Sequence, residues 1–300
     1  MQYFIALDIG GSKIEGMLVN EKLKVFRRIR RSTEAKKSRR RIVGNILRVI
    51  NELDNGKVKV IGFSMAGFVD PSGKLRMIHN IPALMGIKLV ATFRKLTGKK
   101  VVVENDGQCL ALAEASLGAA RGKKHVIGII LGTGVGGGLL LGGKLYRGST
   151  GGAGHVGHIT VDSSGLRCGC SQKGHFESWC SGPAIVKLYR KYGGRMKSAT
   201  PEAVFKSKEK AAARATADFV DKAGIAFASI INAFSPEVIV LGGGISNMDA
   251  RMYQRIRAST KKRYYAPIAK KVKILKNKLG DSAGIYGAAI LAAQYSSSTS

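Results

Sequence analysis

Residues 3–20 of this 300-residue chain, YFIALDIGGSKIEGMLVN, follow the same plan as residues 125–143, HVIGIILGTGVGGGLLLGG. Each segment begins with an apolar run of strand length, passes through a glycine-rich turn and continues into a second apolar run. Such runs bounded by glycine predict two strands joined by a tight turn. The turns are Gly10-Gly11-Ser12 and Gly132-Thr133-Gly134. The chain is therefore predicted to have two halves that open in the same way.

Outward from these hairpins, helical and extended patterns alternate. Apolar residues at helical spacing between Ile42 and Leu53 predict a helix, and an alanine-rich stretch at about 211–233 predicts a longer one. A final helix is predicted from Ala283. Buried strands are predicted at residues 59–67, 100–105 and 237–243. Strands that alternate with helices predict an α/β fold.

A third glycine run, Gly242-Gly243-Gly244, follows the predicted strand EVIVL. Backbone N–H groups in glycine-rich turns can converge on a phosphate because no Cβ blocks the approach. Asp8, before the first turn, could act on Mg²⁺ or its waters. Each turn alone also fits a tight hairpin that needs glycine for its geometry, but three together favour phosphate binding. The spacing is neither a Walker loop nor a dinucleotide fingerprint.

Cysteine usage and hydropathy indicate the compartment. Two of the four cysteines form Cys168-x-Cys170, which suits a metal in a reducing compartment better than a disulfide framework. No run of ~18 uncharged apolar residues is present, and the N-terminus reaches Asp8 too soon for a secretory signal. We therefore expect a cytoplasmic protein without a membrane segment.

The charge balance is strongly basic, with 50 Lys and Arg against 19 Asp and Glu and a formal net charge of +31. A field of this sign attracts polyanions. The densest run, residues 22–41, alternates around Val25 and Ile29 and fits an exposed strand. Because charge informs association rather than chemistry, we interpret it as a solvated surface, with nucleic acid or polyphosphate as alternative partners.

In this order the motifs resemble those of one family, the ROK sugar kinases, from Ile5 to Leu291. DIGGSKIEGMLV resembles the family's first phosphate segment, and LGTGVGGGLLLGGKLYRG resembles its second. ENDGQCLALAE resembles the segment of the catalytic base, VIVLGGGIS the adenosine-side segment, and GDSAGIYGAAILA the closing helix. The resemblance implies the two-domain actin-like/hexokinase (ribonuclease H-like) ATPase fold, with the active site in the cleft between the domains.

We expect a first, small domain over residues 1–107, a second, larger one over residues 108–282, and a closing helix, residues 283–300, that packs onto the first. The resemblance implies ATP-dependent phosphorylation of a hexose at the 6-hydroxyl, with Mg²⁺. The implied sugar is glucose or an N-acetylhexosamine such as N-acetylmannosamine, and the implied assembly is a homodimer. The implied nucleotide and phosphate ligands are Asp8, Gly10, Gly11, Ser12, Lys13, Gly132, Thr133, Gly134, Gly242, Gly243 and Gly244.

Asp106 is the implied general base, since transfer to an alcohol requires that the proton of the hydroxyl be accepted. From the residues alone, Asn105-Asp106 is more simply a cap on the following helix. The other implied sugar contacts are Gly67, Asn80, Asn105, His155, His158 and Glu177. Gly67 would allow the chain to approach the ligand closely.

One sugar-binding position departs from the family pattern. The family's Glu-x-Gly-His is here His155-Val-Gly157-His158. An imidazole can donate a hydrogen bond, whereas a carboxylate only accepts. The change predicts altered recognition near C1 and C2 of the sugar. It favours a 2-acetamido sugar, since some N-acetylmannosamine kinases of the family have histidine there.

The family's metal pattern, C-x-C-G-x-x-G-C-x-E, is present with two exchanges. Here His175 replaces the third cysteine and Ser171 replaces the first glycine. Thiolate and imidazole ligands suit tetrahedral Zn²⁺. A zinc ion with four protein ligands and no open position is structural rather than catalytic. The expected ligands are His158, Cys168, Cys170 and His175. The alternative is that the exchanges have abolished metal binding and left an ordinary loop.

Two other functions stay open. A polyphosphate-dependent glucokinase would suit the basic charge, although polyphosphate-using relatives generally lack the cysteine cluster. A non-catalytic regulatory or nucleic-acid-binding protein on the same fold would also suit it. Against that alternative stand the intact Asp8, Asp106 and three glycine segments. The first phosphate segment also begins at residue 8, so we do not expect the winged-helix module of the family's regulators before it.

Overall fold

The computed structural model describes residues 1–269 and 271–298, so the last two residues of the expected closing helix lie outside the described residues. The chain divides into two compact units. Unit 1 comprises Met1–Ala113, Leu145–Ala153 and Asp281–Ser300, and unit 2 comprises Glu114–Lys144 and Gly154–Gly280. None of the helices in the described ranges is long and apolar enough to cross a membrane.

Strands and helices alternate along the chain as predicted. The strands are β1 (Tyr3–Ile9), β2 (Lys13–Asn20), β3 (Val25–Ser32), β4 (Val58–Met65), β5 (Phe68–Val69), β6 (Leu75–Met77), β7 (Lys100–Asn105), β8 (Val126–Leu131), β9 (Val135–Leu141), β10 (Lys144–Leu145), β11 (Val238–Gly242) and β12 (Lys273–Lys276). The helices are α1 (Arg39–Leu53), α2 (Leu89–Thr97), α3 (Asp106–Ser116), α4 (Glu177–Cys180), α5 (Gly182–Lys191), α6 (Pro201–Lys206), α7 (Lys210–Phe234), α8 (Ala250–Lys261), α9 (Ala266–Ala269) and α10 (Ala283–Ser298). Short 3₁₀ turns lie at Pro82–Leu84, Val156–His158, Gly244–Asn247 and Gly280–Ser282.

The two main sheets have the same architecture. Their strand orders are β3-β2-β1-β4-β7 and β10-β9-β8-β11-β12. In each, the predicted hairpin is antiparallel, and a later strand, β4 or β11, pairs in parallel with the hairpin's first strand. The repeated hairpin and the α/β fold are therefore confirmed.

Helices cover both faces of the unit 1 sheet. Ser38 caps α1, and residues such as Ile42, Ile46 and Val49 bury its apolar face against one side of the sheet. On the other side, α10 packs against β1 and β4. A Cβ on Gly62 would lie 2.1 Å from the Ala288 carbonyl oxygen, so glycine is required for this close approach. By contrast, β3 is exposed along its length except at Ile29, as its charge pattern predicts.

Candidate active site

The carboxyl ends of three parallel strands in unit 1 align the acidic residues expected to take part in catalysis. Ser64 in β4 is in register with Asp8 in β1 and with Glu104 in β7, and Asp106 follows β7 directly. Burial raises the pKa of Asp8 to about 6. Burial, together with the charge of Asp8, raises the pKa of Asp106 to about 7. Asp106 can therefore exchange a proton near neutral pH.

Asn105 fastens the loop after β4 to the start of α3. Its Nδ2 donates to the Gly67 carbonyl oxygen at 2.7 Å, and its Oδ1 accepts from the Gly107 N–H at 2.8 Å. Gly67 has a φ of 113°. Asn80 is exposed and packs against Gly11 of the first turn. The unit 1 residues expected to contact sugar thus adjoin Asp106, the expected base, and the first glycine turn.

The first glycine turn is held by Thr33, which sequence reasoning did not single out. Its hydroxyl donates to the Gly10 carbonyl at 2.6 Å, and its N–H donates to the Ser12 carbonyl at 3.2 Å. Across the turn, the Gly10 N–H donates to the Lys13 carbonyl at 2.9 Å. The Lys13 ammonium lies 3.3 Å from a carboxylate oxygen of the buried Glu15. The turn is therefore preorganised, with a cation beside it.

Glu104 and Gln108 were also missed, although they flank Asn105-Asp106. Buried Glu104 pairs with Arg147, and burial raises its pKa despite that partner. Gln108 Nε2 donates to the carbonyls of Tyr146 and Ala153, both at 3.1 Å. The segment between these carbonyls is therefore fastened to the segment that carries Asp106. Both partners are about forty residues distant in sequence, so no local pattern could signal the link.

In unit 2, Glu177 supports the second glycine turn. Its Oε2 accepts a hydrogen bond from the Val135 N–H at 2.8 Å, and a Cβ on Gly134 would lie 2.6 Å from the same oxygen. Thr133 is exposed at the tip of the turn, and the Gly132 N–H donates to the Gly134 carbonyl at 2.9 Å. The Glu177 carboxylate thus occupies the space that a side chain at position 134 would need, so glycine is required there.

The third glycine run lies beside the second turn. Gly242 ends β11, Gly243 packs against the Leu131 carbonyl, and Gly244 begins a 3₁₀ turn. Leu131 immediately precedes Gly132 in the chain. The nucleotide and phosphate residues predicted in unit 2 therefore meet at neighbouring strand ends.

The four predicted zinc ligands converge, with one ligand atom from each lying within 4.8 Å of all the others. His158 Nδ1 and His175 Nδ1 are 3.3 Å apart, and Cys170 Sγ lies 3.2 Å from His175 Nδ1. Cys168 Sγ lies 3.9 Å from His158 Nδ1. Metal–ligand bonds of 2.0–2.3 Å in a tetrahedron place ligand atoms about 3.3–3.8 Å apart. Two thiols and two imidazoles at these distances fit zinc.

The four expected ligands lie within residues 155–177, which we call the metal loop. Two further features concern it. The His155 ring is stacked on the His158 ring, with centroids 6.5 Å apart and an interplanar angle of 13°. Ser171, where the family pattern has glycine, has a φ of 74°. A left-handed conformation is costly for a residue with a Cβ. The positive φ explains why the family pattern has glycine at this position. The turn nevertheless keeps the same φ with Ser171 in place of glycine.

Comparison with known proteins agrees with this geometry. Residues 4–295 match the model of the ROK family. The N-acetyl-D-glucosamine kinase of Vibrio parahaemolyticus is 35% identical in an alignment that covers 96% of this chain and 99% of that protein. The ROK hexokinase of Thermus thermophilus superposes with a TM-score of 0.89 at 28% identity, covering 99% of this chain and 100% of that structure.

The ROK family glucokinase from Streptomyces griseus, solved in complex with glucose and AMPPNP, is 30% identical with a TM-score of 0.81. The match covers 97% of this chain and 99% of that structure. The expected family and the actin-like ATPase fold are confirmed. The chain therefore belongs to the ROK family and is a sugar kinase.

Proposed function

We propose that the protein transfers the γ-phosphoryl group of ATP to the 6-hydroxyl of an N-acetylhexosamine, with N-acetylglucosamine as the first candidate and glucose as the second. The observation that carries the proposal is the position of Asp106 directly after β7 and beside Asn105, at the strand ends that also hold Asp8. The relative from Vibrio is named an N-acetyl-D-glucosamine kinase, and the Streptomyces structure holds glucose and AMPPNP.

Asp106 would accept the proton of the sugar hydroxyl as that oxygen attacks the γ-phosphorus. A base is most effective when its pKa lies near the working pH. With a pKa of about 7, Asp106 is largely ionised in mildly alkaline solution and still takes up a proton readily. Asn105 would hold neighbouring hydroxyls, since an amide both donates and accepts.

Asp8 would face the nucleotide's Mg²⁺ or its waters. A carboxylate is a preferred ligand type for this ion, and a cation there would offset the repulsion between Asp8 and Asp106. Bound Mg²⁺ neutralises charge on the phosphates. N–H groups at the tips of the two turns, within Gly11–Lys13 and Thr133–Gly134, would cradle phosphate oxygens, and Gly242–Gly244 would lie beside the adenosine.

Zinc would be structural. His158 and His175 would bind it through Nδ1, with Cys168 and Cys170 as the remaining ligands. Four protein ligands leave no open position for substrate. The metal would hold the loop from which Glu177 reaches the second turn and on which His155 stacks. His155 and Glu177, with His158 Nε2, would then recognise the sugar.

A donor and acceptor screen tests the proposal. ATP and inorganic polyphosphate are each supplied to the purified protein with glucose, N-acetylglucosamine and N-acetylmannosamine, and the phosphorylated sugar is identified by NMR. We expect phosphorylation of an N-acetylhexosamine from ATP. Preferential use of polyphosphate would overturn the assigned donor, and a phosphate on a hydroxyl other than O6 would overturn the assigned position. No turnover of any sugar would overturn the proposal.

A further inference from the structure

One stretch of unit 2 carries positive charge without any acidic residue. Residues 250–280 contain eleven Lys and Arg and no Asp or Glu. Ten of these cations lie in the described part of the chain, and all ten are exposed: Arg251, Arg255, Arg257, Lys261, Lys262, Arg263, Lys271, Lys273, Lys276 and Lys278. Ten of the chain's positive charges thus lie on one helix, one strand and their connections.

Helix α8 and strand β12 are fastened together. The guanidinium of Arg257 donates to the Ile274 carbonyl from Nε at 3.2 Å and from Nη2 at 2.7 Å. β12 is an edge strand, so one of its sides has no strand partner in the sheet. We define the basic surface as six of these cations, on α8, β12 and the segments next to them: Arg255, Lys261, Lys262, Arg263, Lys271 and Lys273.

The basic surface is poorly neutralised by its neighbours. Asp221 on α7 pairs with Arg263 and Lys222, and Glu237 before β11 pairs with Lys123. In the described ranges, the exposed side chains that make no internal hydrogen bond or ion pair include Arg255, Lys261, Lys262 and Lys273. Like charges at this density repel each other. A bound polyanion would relieve that repulsion.

The basic surface also lies away from the proposed nucleotide site. β11 and β12 are parallel, with Val238 in register with Lys273, while Gly242 ends β11 at the opposite end. Lys261 and Lys262 lie at the end of α8, and Lys271 precedes β12. A long anion on this surface would therefore leave the glycine run free.

One exposed aromatic side chain favours nucleic acid over other polyanions as the ligand of the basic surface. Tyr265 follows Arg263 by two residues and is 65% exposed, and its N–H donates to Asn232 Oδ1 at 2.8 Å. An exposed ring among cations can stack on a nucleobase, which neither polyphosphate nor a lipid headgroup offers. We propose that the basic surface binds single-stranded nucleic acid, with phosphates on its Lys and Arg side chains and a base on Tyr265.

The test is fluorescence anisotropy with a labelled single-stranded RNA and the full-length protein. One variant changes Arg255, Lys261, Lys262 and Lys273 to Gln. A matched control changes four exposed cations of unit 1, Lys22, Lys36, Lys37 and Arg40, to Gln, so both variants lose the same charge. With about four phosphate contacts, wild-type affinity should fall about 50-fold between about 50 and 200 mM salt.

We expect the surface variant to bind RNA at least about tenfold more weakly than the control, with kinase activity equal in the two proteins. Tyr265→Ala should weaken RNA binding by about 5- to 100-fold and leave polyphosphate competition unchanged. Equal loss in surface variant and control would overturn the proposal, as would absence of RNA binding at about 100 mM salt. Displacement of RNA by polyphosphate of equal charge, with no effect of Tyr265→Ala, would assign the surface to polyphosphate instead.

Discussion

The carboxylate of Glu177 accepts a hydrogen bond from the Val135 N–H at 2.8 Å, and its other oxygen lies 3.6 Å from Cys168 Sγ. A residue expected to contact sugar therefore also joins the proposed metal loop to the second glycine turn. In the proposed function, this one side chain would couple sugar recognition to phosphate binding within unit 2.

Replacing Glu177 by Gln separates its two roles. The amide oxygen can still accept from Val135, but the charge that would hold sugar hydroxyls is lost. We expect kcat/KM for the sugar to fall about 10- to 100-fold, as for a charged hydrogen bond, with little change in Tm. Glu202→Gln, in an exposed ion pair, is the control. A normal kcat/KM combined with a lower Tm would show that Glu177 only supports the loop.

Asp106→Asn should lower kcat by about 10²- to 10⁴-fold, because it keeps the shape and removes the proton acceptor. Sugar and nucleotide binding should change little. In the wild type, kcat/KM should rise with pH and level off above an inflection near pH 7, where Asp106 becomes ionised. The measurements are steady-state kinetics and calorimetric binding. A mutant with near-normal kcat would exclude Asp106 as the base.

The same substitution should stabilise the protein at alkaline pH. Since the pKa of Asp106 is raised on folding, the folded state binds this proton more tightly than the unfolded state between about pH 4 and pH 7. The free energy of unfolding therefore decreases as pH rises through that window, and Asn removes the loss. We expect the Tm of Asp106→Asn to exceed that of the wild type more at pH 8 than at pH 5. Equal differences at both pH values would contradict the raised pKa.

Ser171→Gly should stabilise the metal loop. Glycine adopts the φ of 74° without the cost that a Cβ imposes. A gain of about 0.5–1 kcal/mol, or roughly 1–4 °C in Tm, is expected from calorimetry. The matched control is Ser163→Gly, an exposed serine of the same loop without a positive φ, which should be neutral or slightly destabilising. If both changes destabilise equally, the turn is not strained.

The purified protein should contain about one zinc per chain after extensive dialysis. Metal analysis gives the stoichiometry, and Cys168→Ser should reduce zinc content and Tm together. The buried Cys109, replaced by Ala, serves as a cysteine control that should keep its zinc. Absence of stoichiometric zinc, with a Tm unaffected by strong chelators, would show that the loop does without metal.

His155→Glu restores the family residue and should shift sugar preference. An imidazole can donate to an acetamido carbonyl, whereas glutamate accepts from a free hydroxyl. Relative kcat/KM should move toward glucose and away from N-acetylmannosamine by about 1.5–3 kcal/mol, or roughly 10- to 150-fold. Unchanged ratios across glucose, N-acetylglucosamine and N-acetylmannosamine would indicate that His155 only supports His158 by stacking.

The parts of the fold that could be predicted are those set by the order of apolar, polar and glycine residues within a short stretch of sequence. Apolar runs around a glycine turn specify a hairpin within twenty residues, so both hairpins and the long helix α7 were predicted. The pairing of Glu104 with Arg147 depends on tertiary folding over 43 residues and leaves no local trace. Likewise, resemblance to the family's pattern indicated the four expected metal ligands, but only the loop conformation decides that the Nδ1 atoms of His158 and His175 face each other.

The order in which the ribosome makes the chain has a consequence for unit 1. Phe4, Ala6 and Val60 form one buried cluster with Ala288 and with the other α10 residues Ile285, Ala289 and Ala292. These strand residues leave the ribosome long before α10 has been synthesised. Until then, one apolar face of the nascent sheet lacks its cover and is a natural target for chaperones. Unit 1 therefore completes its core only once α10 has been synthesised.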